Sequence, residues 1–457
     1  MRSVPKIDRW PPLATAGRLP LGRAAGGGLL WFAAATVLAA GGGRFGRRAA
    51  LRGLMAAALG SAVSRGAVKA LGRRPRRPSP STSSFPSAPA AAAFAFAAGA
   101  GQELPWLAAP LGGVATVVSY ARAHTGVDDP GAVVTGAALG LAAGVVTRRF
   151  WPVAPHQPAR AATAAPSAVA PSPEGAGLVM VVNPSAGWGT GPEGDLRAEL
   201  PAAEIVVIEE GDDLEAVLRS AAERGEVLGV AGGDGTVNTA ASVAAETGRR
   251  LVVVPGGTLN HFAAALGVSS VADTADAVRQ GRAVAVDLGV IDGRTFVNTA
   301  SIGGYVELVD ARERFEARIG KWPAMVVALV QVLRRSSPVD LELDGRPARV
   351  WMIFVGNCAY HPAGFGPSWR QRLDDGRLDI RIVHASRPWS RLRLVVSVGT
   401  GQLARCRVYE QRSVTELRVR SRQDALRLAR DGETFDGSVE FTITKAAEPL
   451  VVYAPRP

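Results

Sequence analysis

The chain has 457 residues, which is too long for one ordinary domain and predicts two or three folded units. Its formal charge of +12 is uneven, because residues 1–170 carry 19 Lys and Arg against 4 Asp and Glu, whereas the others carry 33 against 36. This balance argues against a nucleic-acid-binding C-terminal part and indicates an anionic surface, such as lipid, as partner of the front third. Two cysteines are too few for a disulfide framework or a zinc cluster, and a reducing interior suits them.

Residues 1–153 contain apolar stretches that are rich in Ala and Gly. They lie at residues 26–43, 51–63, 88–101, 104–120 and 131–146. Each falls short of the ~20 apolar residues that span a bilayer comfortably, but small residues allow helices to pack closely in lipid. Arginines flank the first two stretches, as anchors on the cytoplasmic side of a membrane would. The pattern predicts a helical, membrane-type region, with a soluble Ala-rich bundle or a solvated basic tail as alternatives.

The rest of the chain predicts a linker and two further units. Residues 154–176 are rich in Ala, Pro and Ser without a hydrophobic period, which is typical of an exposed linker. Residues 177–285 alternate strands with helices, which predicts a doubly wound parallel α/β sheet. Its strands are expected at 177–184, 203–210, 227–231 and 250–257, and its helices at 212–225, from about 237 and from about 260. Residues 286–457 show strands of period two and one helix at 317–336, which predicts an antiparallel β-sandwich whose last strand can return to the α/β unit.

A glycine-rich corner follows the third strand of the α/β unit, in VLGVAGGDGTVNTAA (227–241). Gly232, Gly233 and Gly235 permit a sharp turn in which backbone N–H groups and the following helix dipole converge on an anion. Asp234 needs a metal ion or a hydroxyl group beside any phosphate. The corner is neither a dinucleotide fingerprint nor a Walker loop, and a plain tight turn is the alternative.

Two further polar corners follow neighbouring strands. NPSAG (183–187) follows the first strand, and PGGTLNHFA (255–263) follows the fourth, with Thr258 and Asn260 placed to bond a nucleotide. Corners on successive parallel strands open on the same edge of the sheet, where such folds bind ligands. The sequence therefore predicts one ligand cleft built from three loops.

These three motifs, in this order and spacing, resemble the diacylglycerol kinase catalytic domain. That family includes bacterial lipid kinases and sphingosine kinases and is more distantly related to NAD kinases, and the resemblance covers about residues 177–457. It implies a lipid kinase that uses ATP and Mg²⁺, and it implies a set of ATP-binding residues. These are Asn183, Gly232, Gly233, Gly235, Thr236, Asn238 and Thr258, with Asp234 expected to take part in catalysis.

The segment RDGE (430–433) resembles the Asp-Gly-Glu motif of the same family. By that resemblance Glu433 acts as the general base on a lipid hydroxyl. The chemistry is consistent, because phosphoryl transfer needs positioning, Mg²⁺ and a carboxylate that accepts the hydroxyl proton. Without the other motifs, Asp-Gly would indicate only a hairpin turn.

The segment RLDDGRLDI (372–380) resembles the stretch that holds a structural Mg²⁺ in the family, separate from the ion that travels with ATP. The resemblance implies Asp375 and the carbonyl groups of Arg372 and Arg377 as ligands, supported by Asp374 and Asp287. One or two carboxylates with carbonyls and waters are ordinary Mg²⁺ ligands. A hairpin turn with solvated acids is the alternative.

Residues from about 60 to 150 resemble the type 2 phosphatidic acid phosphatase family, with degenerate motifs. Pro89 stands where the acid histidine should be, Asp128 replaces the nucleophilic histidine, and Ala132 replaces the aspartate that would orient it. A phosphoenzyme mechanism needs both histidines, so the resemblance implies an inactive membrane anchor. The basic residues that remain could still bind a lipid phosphate. They are Lys69, Arg76 and Arg122.

Together these patterns predict a lipid kinase at the cell membrane, with its kinase domain on the cytoplasmic side and a diacylglycerol-like lipid as substrate. The acceptor stays open, because a sphingoid base, a glycolipid or a polyprenol is compatible with the same ATP motifs, and NAD is disfavoured by the membrane-type front end. A non-catalytic lipid-binding regulatory protein and a bifunctional kinase-phosphatase are further alternatives. No nucleic-acid partner is expected, and the sequence does not specify the oligomeric state.

Overall fold

The structure of the protein, a computed structural model, falls into two compact units, Met1–Ala154 and Pro155–Pro457. The residues that it describes are 28–70, 85–153, 155, 157–164, 172–186, 191–257, 260–304, 321–335, 337–364, 368–422 and 425–455. The predicted order of a helical region, an α/β layer and an antiparallel β-rich layer is confirmed.

The first unit contains a group of helices that pack through small residues. They are α1 (Leu29–Gly41), α2 (Gly43–Ala70), α3 (Ala88–Glu103), α4 (Ala108–His124) and α5 (Pro130–Phe150). A Cβ atom at Gly140 would lie 2.3 Å from the carbonyl oxygen of Ala91, and one at Gly99 would lie 2.8 Å from that of Arg52. Glycine at these positions therefore allows helix backbones to approach more closely than any side chain would permit.

Large apolar side chains lie on the outside of this helical unit. Those that are exposed include Leu29, Phe32, Val37, Leu51, Trp106, Val117, Val134 and Val145. Among the described helices, α5 alone is long and apolar enough to cross a membrane, by length and composition, and α1 is a shorter apolar helix. Inside the unit, the buried Glu103 carboxylate forms ion pairs with Arg48 at 3.0 Å and Arg52 at 2.6 Å.

The second unit begins with a seven-stranded sheet in the order β1-β6-β20-β5-β4-β2-β3. The strands are β1 (Ala162–Thr163), β2 (Leu178–Val182), β3 (Glu204–Val207), β4 (Val227–Gly232), β5 (Arg250–Pro255), β6 (Ala283–Val286) and β20 (Leu450–Tyr453). Strands β2 to β5 are parallel, and β6 and β1 add antiparallel edges. Both faces of the sheet are covered, because every residue of the central strands β2 and β4 is buried.

Helices flank this sheet on both sides. They are α6 (Glu193–Glu199), α7 (Leu214–Arg224), α8 (Asp234–Thr247), α9 (His261–Leu266) and α10 (Val271–Arg279). The helix predicted from about 237 begins at Asp234, and the one predicted from about 260 is two helices. The first of these ends at Gly267, which has a φ of 81°, and the Ser270 side chain caps the second.

Residues 157–164, assigned by composition to an exposed linker, instead pack against the α/β layer. Ala159 N–H donates to the carbonyl oxygen of Ala265 at 2.8 Å, and Arg160 N–H donates to that of Gln371 at 2.8 Å. The short strand β1 then pairs with β6. Composition missed this because an edge strand of two residues has no hydrophobic period of its own.

The remaining strands form one branched antiparallel sheet that folds over an apolar core. They are β7 (Gly289–Ile291), β8 (Arg294–Phe296), β9 (Thr299–Gly303), β10 (Val339–Leu343), β11 (Arg346–Asn357), β14 (Leu378–His384), β15 (Tyr409–Val414), β16 (Glu416–Ser421), β17 (Arg427–Arg430), β18 (Glu433–Asp436) and β19 (Glu440–Lys445). A separate two-stranded sheet pairs β12 (Tyr360–His361) with β13 (Trp369–Arg370). The long strand β11 pairs with β9, β10 and β14, so it joins the two sides of the layer. Helices α11 (Lys321–Arg335) and α12 (Ser390–Gly399) cover a second apolar cluster on this layer.

Candidate active site

The three polar corners predicted from the sequence meet at the carboxyl ends of β2, β4 and β5. Gly256 N–H donates to the carbonyl oxygen of Gly232 at 2.8 Å, and Asn183 N–H donates to that of Ala231 at 2.9 Å. A Cβ atom at Gly257 would lie 2.8 Å from the Cα atom of Gly233. The second and third corners are therefore in backbone contact, which requires glycine at this point of closest approach.

Asp234 stands at the start of α8 and joins two of the corners. Its Oδ1 atom accepts the backbone N–H of His261 at 2.7 Å. Asn183 belongs to the same arrangement, because its Nδ2 atom donates to Thr236 Oγ1 at 3.0 Å. A Cβ atom at Gly235 would meet no described atom within 4 Å, so this side of the helix start is open. The first backbone N–H groups of a helix have no intrahelical acceptor, and here they can bind an anion.

The third corner uses its polar side chain internally. Asn260 Oδ1 accepts Gly257 N–H at 2.8 Å, and the Asn260 amide donates back to the Gly257 carbonyl group. Asn260 thus holds the loop shape, and its bond to a nucleotide stays a prediction. Thr258, predicted from the same loop, lies outside the described residues.

Asn238 lies one turn further along α8, about 6 Å from its start by helical rise. Its Nδ2 atom donates to the carbonyl oxygen of Asp431 at 3.2 Å, and its Oδ1 atom accepts from Asn298 Nδ2 at 2.9 Å. Both ends of the amide are engaged within the protein. Asn238 therefore links the helix of the glycine corner to the Asp-Gly-Glu turn, and its contact with ATP stays a prediction.

The Asp431 carboxyl group holds that turn in place. It accepts the backbone N–H groups of Val297, Asn298 and Thr299 at 2.7, 2.9 and 2.9 Å. Burial raises the pKa of the Asp431 carboxyl, and the three N–H donors, which bind the carboxylate form, act in the opposite direction. Asp431 has a φ of 47°, in the left-handed region, and Gly432 follows with 97°. The turn is fixed by side-chain bonds to a neighbouring strand, not by chain composition alone.

Arg370 supports the same turn, and the motifs did not indicate it. Its buried guanidinium donates to the carbonyl oxygens of Val297 and Asn357 at 2.8 and 3.2 Å and to Asn298 Oδ1 at 2.8 Å. These contacts orient the Asn298 amide toward Asn238. Arg370 lies two residues before the RLDDGRLDI segment but is not part of that motif, so no motif singled it out.

Glu433 begins β18 and is exposed at a shallow depression. The residues that line this depression are Asn238, Thr239, Ser242, Arg430, Asp431 and Glu433. Arg430 closes one side by donating to Ser242 Oγ at 3.3 Å and to the carbonyl oxygen of Thr295 at 2.7 Å. Within the described part of the chain, no hydrogen bond or ion pair engages the Glu433 carboxylate. Helix α8 thus runs from the glycine corner to the surroundings of Glu433.

A second carboxylate cluster lies where the chain passes from β6 to β7. Ligand atoms of Asp287, Asp375 and Cys358 lie within 4.8 Å of one another. Asp375 Oδ2 accepts Ala359 N–H at 2.8 Å, and Asp287 Oδ2 accepts Gly376 N–H at 2.7 Å. Burial raises the pKa of the Cys358 thiol to about 12, so its sulfur is neutral at ordinary pH.

Lys445 is the cation already present in this cluster. Its Nζ atom lies 3.1 Å from Asp287 Oδ2 and 3.5 Å from Cys358 Sγ, and it also donates to Asn357 Oδ1. The three donors of the ammonium group therefore have three acceptors. The carboxylates are of the type that a hard divalent ion needs, but any ion that shares Asp287 has to share it with this lysine.

The other residues predicted for the metal site separate into two groups. The Arg377 carbonyl oxygen accepts Cys358 N–H at 3.0 Å, beside the cluster. Asp374 points elsewhere, because its carboxylate pairs with Arg372 at 3.0 Å and accepts Ala162 N–H at 2.7 Å. Asp375 and Asp287 are thus the carboxylates that the structure brings together.

In the helical unit, the residues of the degenerate phosphatase-like motif lie close to one another. Arg122 Nε donates to Asp128 Oδ2 at 2.8 Å, and Ser87 Oγ donates to the same oxygen at 2.8 Å. The Arg122 guanidinium, expected to bind a lipid phosphate, therefore already has an internal carboxylate as its partner. Arg76 and the Lys69 side chain lie outside the described residues.

Comparison with known proteins identifies the class of the glycine-corner segment. Residues 177–291 match the family model described as diacylglycerol kinase catalytic domain. The predicted resemblance is confirmed for this segment, whereas the phosphatase-like resemblance of the front region stays a prediction.

Particular relatives carry the same name. The diacylglycerol kinase of Bacillus subtilis (strain 168) is 30% identical over 183 residues, which cover 38% of this chain and 60% of that protein. The diacylglycerol kinase of Staphylococcus carnosus (strain TM300) is 31% identical over 173 residues, covering 36% and 56%. The chain thus spans somewhat more than half the length of these curated relatives. A diacylglycerol kinase crystal structure from Bacillus anthracis str. Sterne aligns with 61% of this chain and 96% of its own, at 20% identity and a TM-score of 0.44.

Proposed function

We propose that the second unit is an ATP-dependent lipid kinase that transfers the γ-phosphate to a hydroxyl group of a diacylglycerol-like lipid. The observation that carries the proposal is the bond between Asn238 and Asp431, which joins the glycine corner to the turn that bears Glu433. One helix thereby spans both halves of a phosphoryl-transfer site. The family match at residues 177–291 and the names of the relatives support the same reaction class.

The glycine corner is proposed to bind the ATP phosphates. Backbone N–H groups at the start of α8 are donors without intrahelical acceptors, and the helix dipole favours negative charge at this end. Gly235 leaves the approach open, and Asn183 holds Thr236 beside it. Asp234 is the carboxylate available to hold the Mg²⁺ that accompanies ATP, and this ion would neutralise phosphate charge when bound.

Glu433 is proposed to accept the proton of the lipid hydroxyl group. Its carboxylate is exposed at the depression beside α8, and Asp431 fixes the turn that presents it. A general base has to lie within hydrogen-bond reach of the proton that it removes, so a rigid turn serves this role better than a free loop.

A structural divalent ion is proposed at Asp375 and Asp287. The donor types suit Mg²⁺, and the two carboxylates already lie together with Cys358 within 4.8 Å. Such an ion would fix the crossing between the two sheets rather than take part in the transfer, because Asp287 lies at the end of β6.

The helical unit is proposed to keep the kinase at the cell membrane, with the second unit on the cytoplasmic side. The exposed apolar side chains around its helices and the apolar helix α5 support this assignment. An enzyme with a water-insoluble substrate gains effective concentration from such an anchor. The occupied Arg122 supports an anchoring rather than a phosphatase role for this unit.

The test is phosphate transfer from labelled ATP by the full chain in mixed micelles that contain one candidate acceptor at a time. The acceptors are diacylglycerol, monoacylglycerol, ceramide, sphingosine, a glycolipid and a polyprenol. Glu433→Gln should lower kcat by about 10²–10⁴-fold. Glu440→Gln, at the exposed first residue of strand β19, is the matched control and should leave the rate unchanged.

Each outcome of this assay favours one of the candidate functions. Label on diacylglycerol alone that disappears in Glu433→Gln supports the proposal. Label on another lipid supports the kinase activity but identifies a different acceptor. Absence of label on every lipid, with ATP still bound, would favour a non-catalytic regulatory protein.

A further inference from the structure

Helix α12 and the turns beside it form a basic surface on the second unit, here called the arginine surface and defined as residues 386–408. This segment contains no acidic residue. It carries five arginines, all exposed: Arg387, Arg391, Arg393, Arg405 and Arg407. The second unit has no net positive charge to explain such a concentration, because its acidic residues outnumber its basic ones.

The arginine surface differs from the exposed arginines on and beside strand β16 in lacking internal counterions. Strand β16 carries two exposed arginines and a third follows its last residue, and each is paired with a glutamate: Arg418 with Glu416 at 2.8 Å, Arg420 with Glu440 at 3.8 Å and Arg422 with Glu342 at 3.0 Å. No carboxylate of the described residues pairs with an arginine of the arginine surface. Its charge is therefore available to an anion outside the protein.

The same helix exposes a strip of apolar side chains. Trp389, Leu392 and Val396 are 76%, 56% and 52% exposed, and they are three of the six large apolar side chains exposed in the described part of the second unit. Their spacing of three and four residues places them on one side of α12. The opposite side, with Leu394 and Val398, is buried in the apolar cluster beneath. One apolar face of the helix therefore packs in the protein core, and a second apolar face is exposed to solvent.

A groove joins the apolar strip to the basic groups. It has a volume of about 500 Å³ and is lined in part by Arg349, Trp351, Trp389, Arg391 and Leu392. The Arg391 guanidinium lies 4.7 Å from the centre of the Trp351 ring, so the aromatic wall holds one of the cations. Tryptophan and arginine beside an apolar strip are the composition that the boundary between lipid headgroups and acyl chains attracts.

We propose that the arginine surface docks the second unit on a bilayer that contains anionic lipids. Trp389, Leu392 and Val396 enter the boundary between headgroups and acyl chains, and the surrounding arginines contact lipid phosphates. We assign a bilayer as the occupant because five exposed arginines border the strip and no acidic residue interrupts them, which complements a layer of anionic headgroups. The inference extends the membrane part of the proposed function by giving the kinase unit a lipid contact of its own.

The experiment places an environment-sensitive fluorophore on the strip in the full chain. In a Cys406→Ser background, in which the remaining Cys358 is buried, Leu392→Cys is labelled and the chain is reconstituted into nanodiscs. One set of nanodiscs holds zwitterionic lipid only, and the other also holds phosphatidylglycerol. Val439→Cys, exposed at 46% on the same unit, is the matched labelling control. A quencher attached to lipid tails reports contact with the bilayer.

We expect a blue shift and quenching at position 392 in the phosphatidylglycerol nanodiscs, with neither at position 439. Replacing Arg387, Arg391 and Arg393 by Gln should remove most of the shift, and so should high salt. The triple replacement of Arg418, Arg420 and Arg422 by Gln is the charge-matched control and should retain it. The fluorescence does not depend on phosphate transfer, so a failure of the kinase proposal would leave this test intact.

Three results would overturn the proposal. The first is a label at 392 that remains in water in the phosphatidylglycerol nanodiscs. The second is an equal signal in both lipid compositions, which would remove the anionic partner. The third is a shift in lipid-free detergent solution that grows with protein concentration, which would assign the strip to a second copy of the chain.

Discussion

Asn238 Nδ2 lies 3.2 Å from the carbonyl oxygen of Asp431, across 193 residues of sequence. This bond connects the start of the α/β layer's central helix to the only turn that presents Glu433. Because Asn298 donates to the other end of the same amide at 2.9 Å, the Asn238 side chain is held in one orientation. The helix that begins at the glycine corner is therefore bonded to the turn that bears Glu433.

Replacing Asn238 by Ala should separate positioning from nucleotide binding. We expect kcat to fall about 10-fold to 100-fold while KM for ATP changes little, since the corner itself stays intact. Loss of the bonds should cost about 1–3 kcal/mol in the free energy of unfolding, because Asn298 is left with an unpaired donor. Steady-state kinetics and chemical denaturation measure the two effects. Thr247→Ala, at an exposed position at the far end of the same helix, is the control, and equal losses in both variants would contradict the positioning role.

Gly257 and Gly235 give a steric test of the glycine corner. A Cβ atom at Gly257 would lie 2.8 Å from the Cα atom of Gly233, whereas one at Gly235 meets no described atom within 4 Å. Gly257→Ala should therefore push the second and third corners apart and weaken ATP binding by at least about tenfold, a loss of about 1.4 kcal/mol. Calorimetric titration with an ATP analogue measures the affinity. If Gly235→Ala weakened binding by the same factor, glycine would be required in the corner for contact with the ligand and not for packing of the loops.

The sequence predicted the corners well because each is a local pattern. In each corner a buried strand is followed within a few positions by small residues and a polar side chain, and parallel topology brings the strand ends to one edge. Arg370 and Asn298 escaped prediction because their contacts are not local. Arg370 reaches Asn298 across 72 residues, and nothing in the neighbouring sequence of either residue indicates a buried polar network.

The cation at the carboxylate cluster was missed for the same reason. The metal site was predicted from the resemblance of the segment around Asp375 to a Mg²⁺-binding stretch, and that resemblance named no lysine. Lys445 comes from the end of β19 and lies 3.1 Å from Asp287 Oδ2. From the sequence, a lysine at the end of an alternating strand is expected to be exposed to solvent. Its position beside the cluster follows from the tertiary fold.

Lys445→Met should make the stability of the protein depend more strongly on divalent ions. Without the ammonium group, Asp287 and Asp375 repel each other in a partly buried site, so the free energy of unfolding should fall by about 1–3 kcal/mol in chelator. Added Mg²⁺ should restore much of this loss, because an ion then replaces the missing charge. Thermal unfolding with and without Mg²⁺ checks both statements.

The control for this variant is Lys445→Arg, which keeps the charge and should show the weaker Mg²⁺ dependence of the native chain. An identical response to Mg²⁺ in the native chain and in Lys445→Met would show that the ion does not compete with the lysine for Asp287.

Asp128 and Arg122 allow a test of whether the helical unit retains a phosphate site. Their ion pair, at 2.8 Å, is mostly buried, with exposures of 7% and 14% for the two side chains. Asp128→Asn should cost about 3–5 kcal/mol in the free energy of unfolding, because it leaves the Arg122 charge buried without a partner. The double variant Asp128→Asn with Arg122→Gln should be less destabilised, since it removes that charge as well.

If Arg122 is the remnant of a phosphate site, inorganic phosphate should raise the unfolding temperature of Asp128→Asn but not of the native chain or the double variant. A phosphate effect of equal size in all three proteins would place the anion elsewhere and leave Arg122 with a purely structural role.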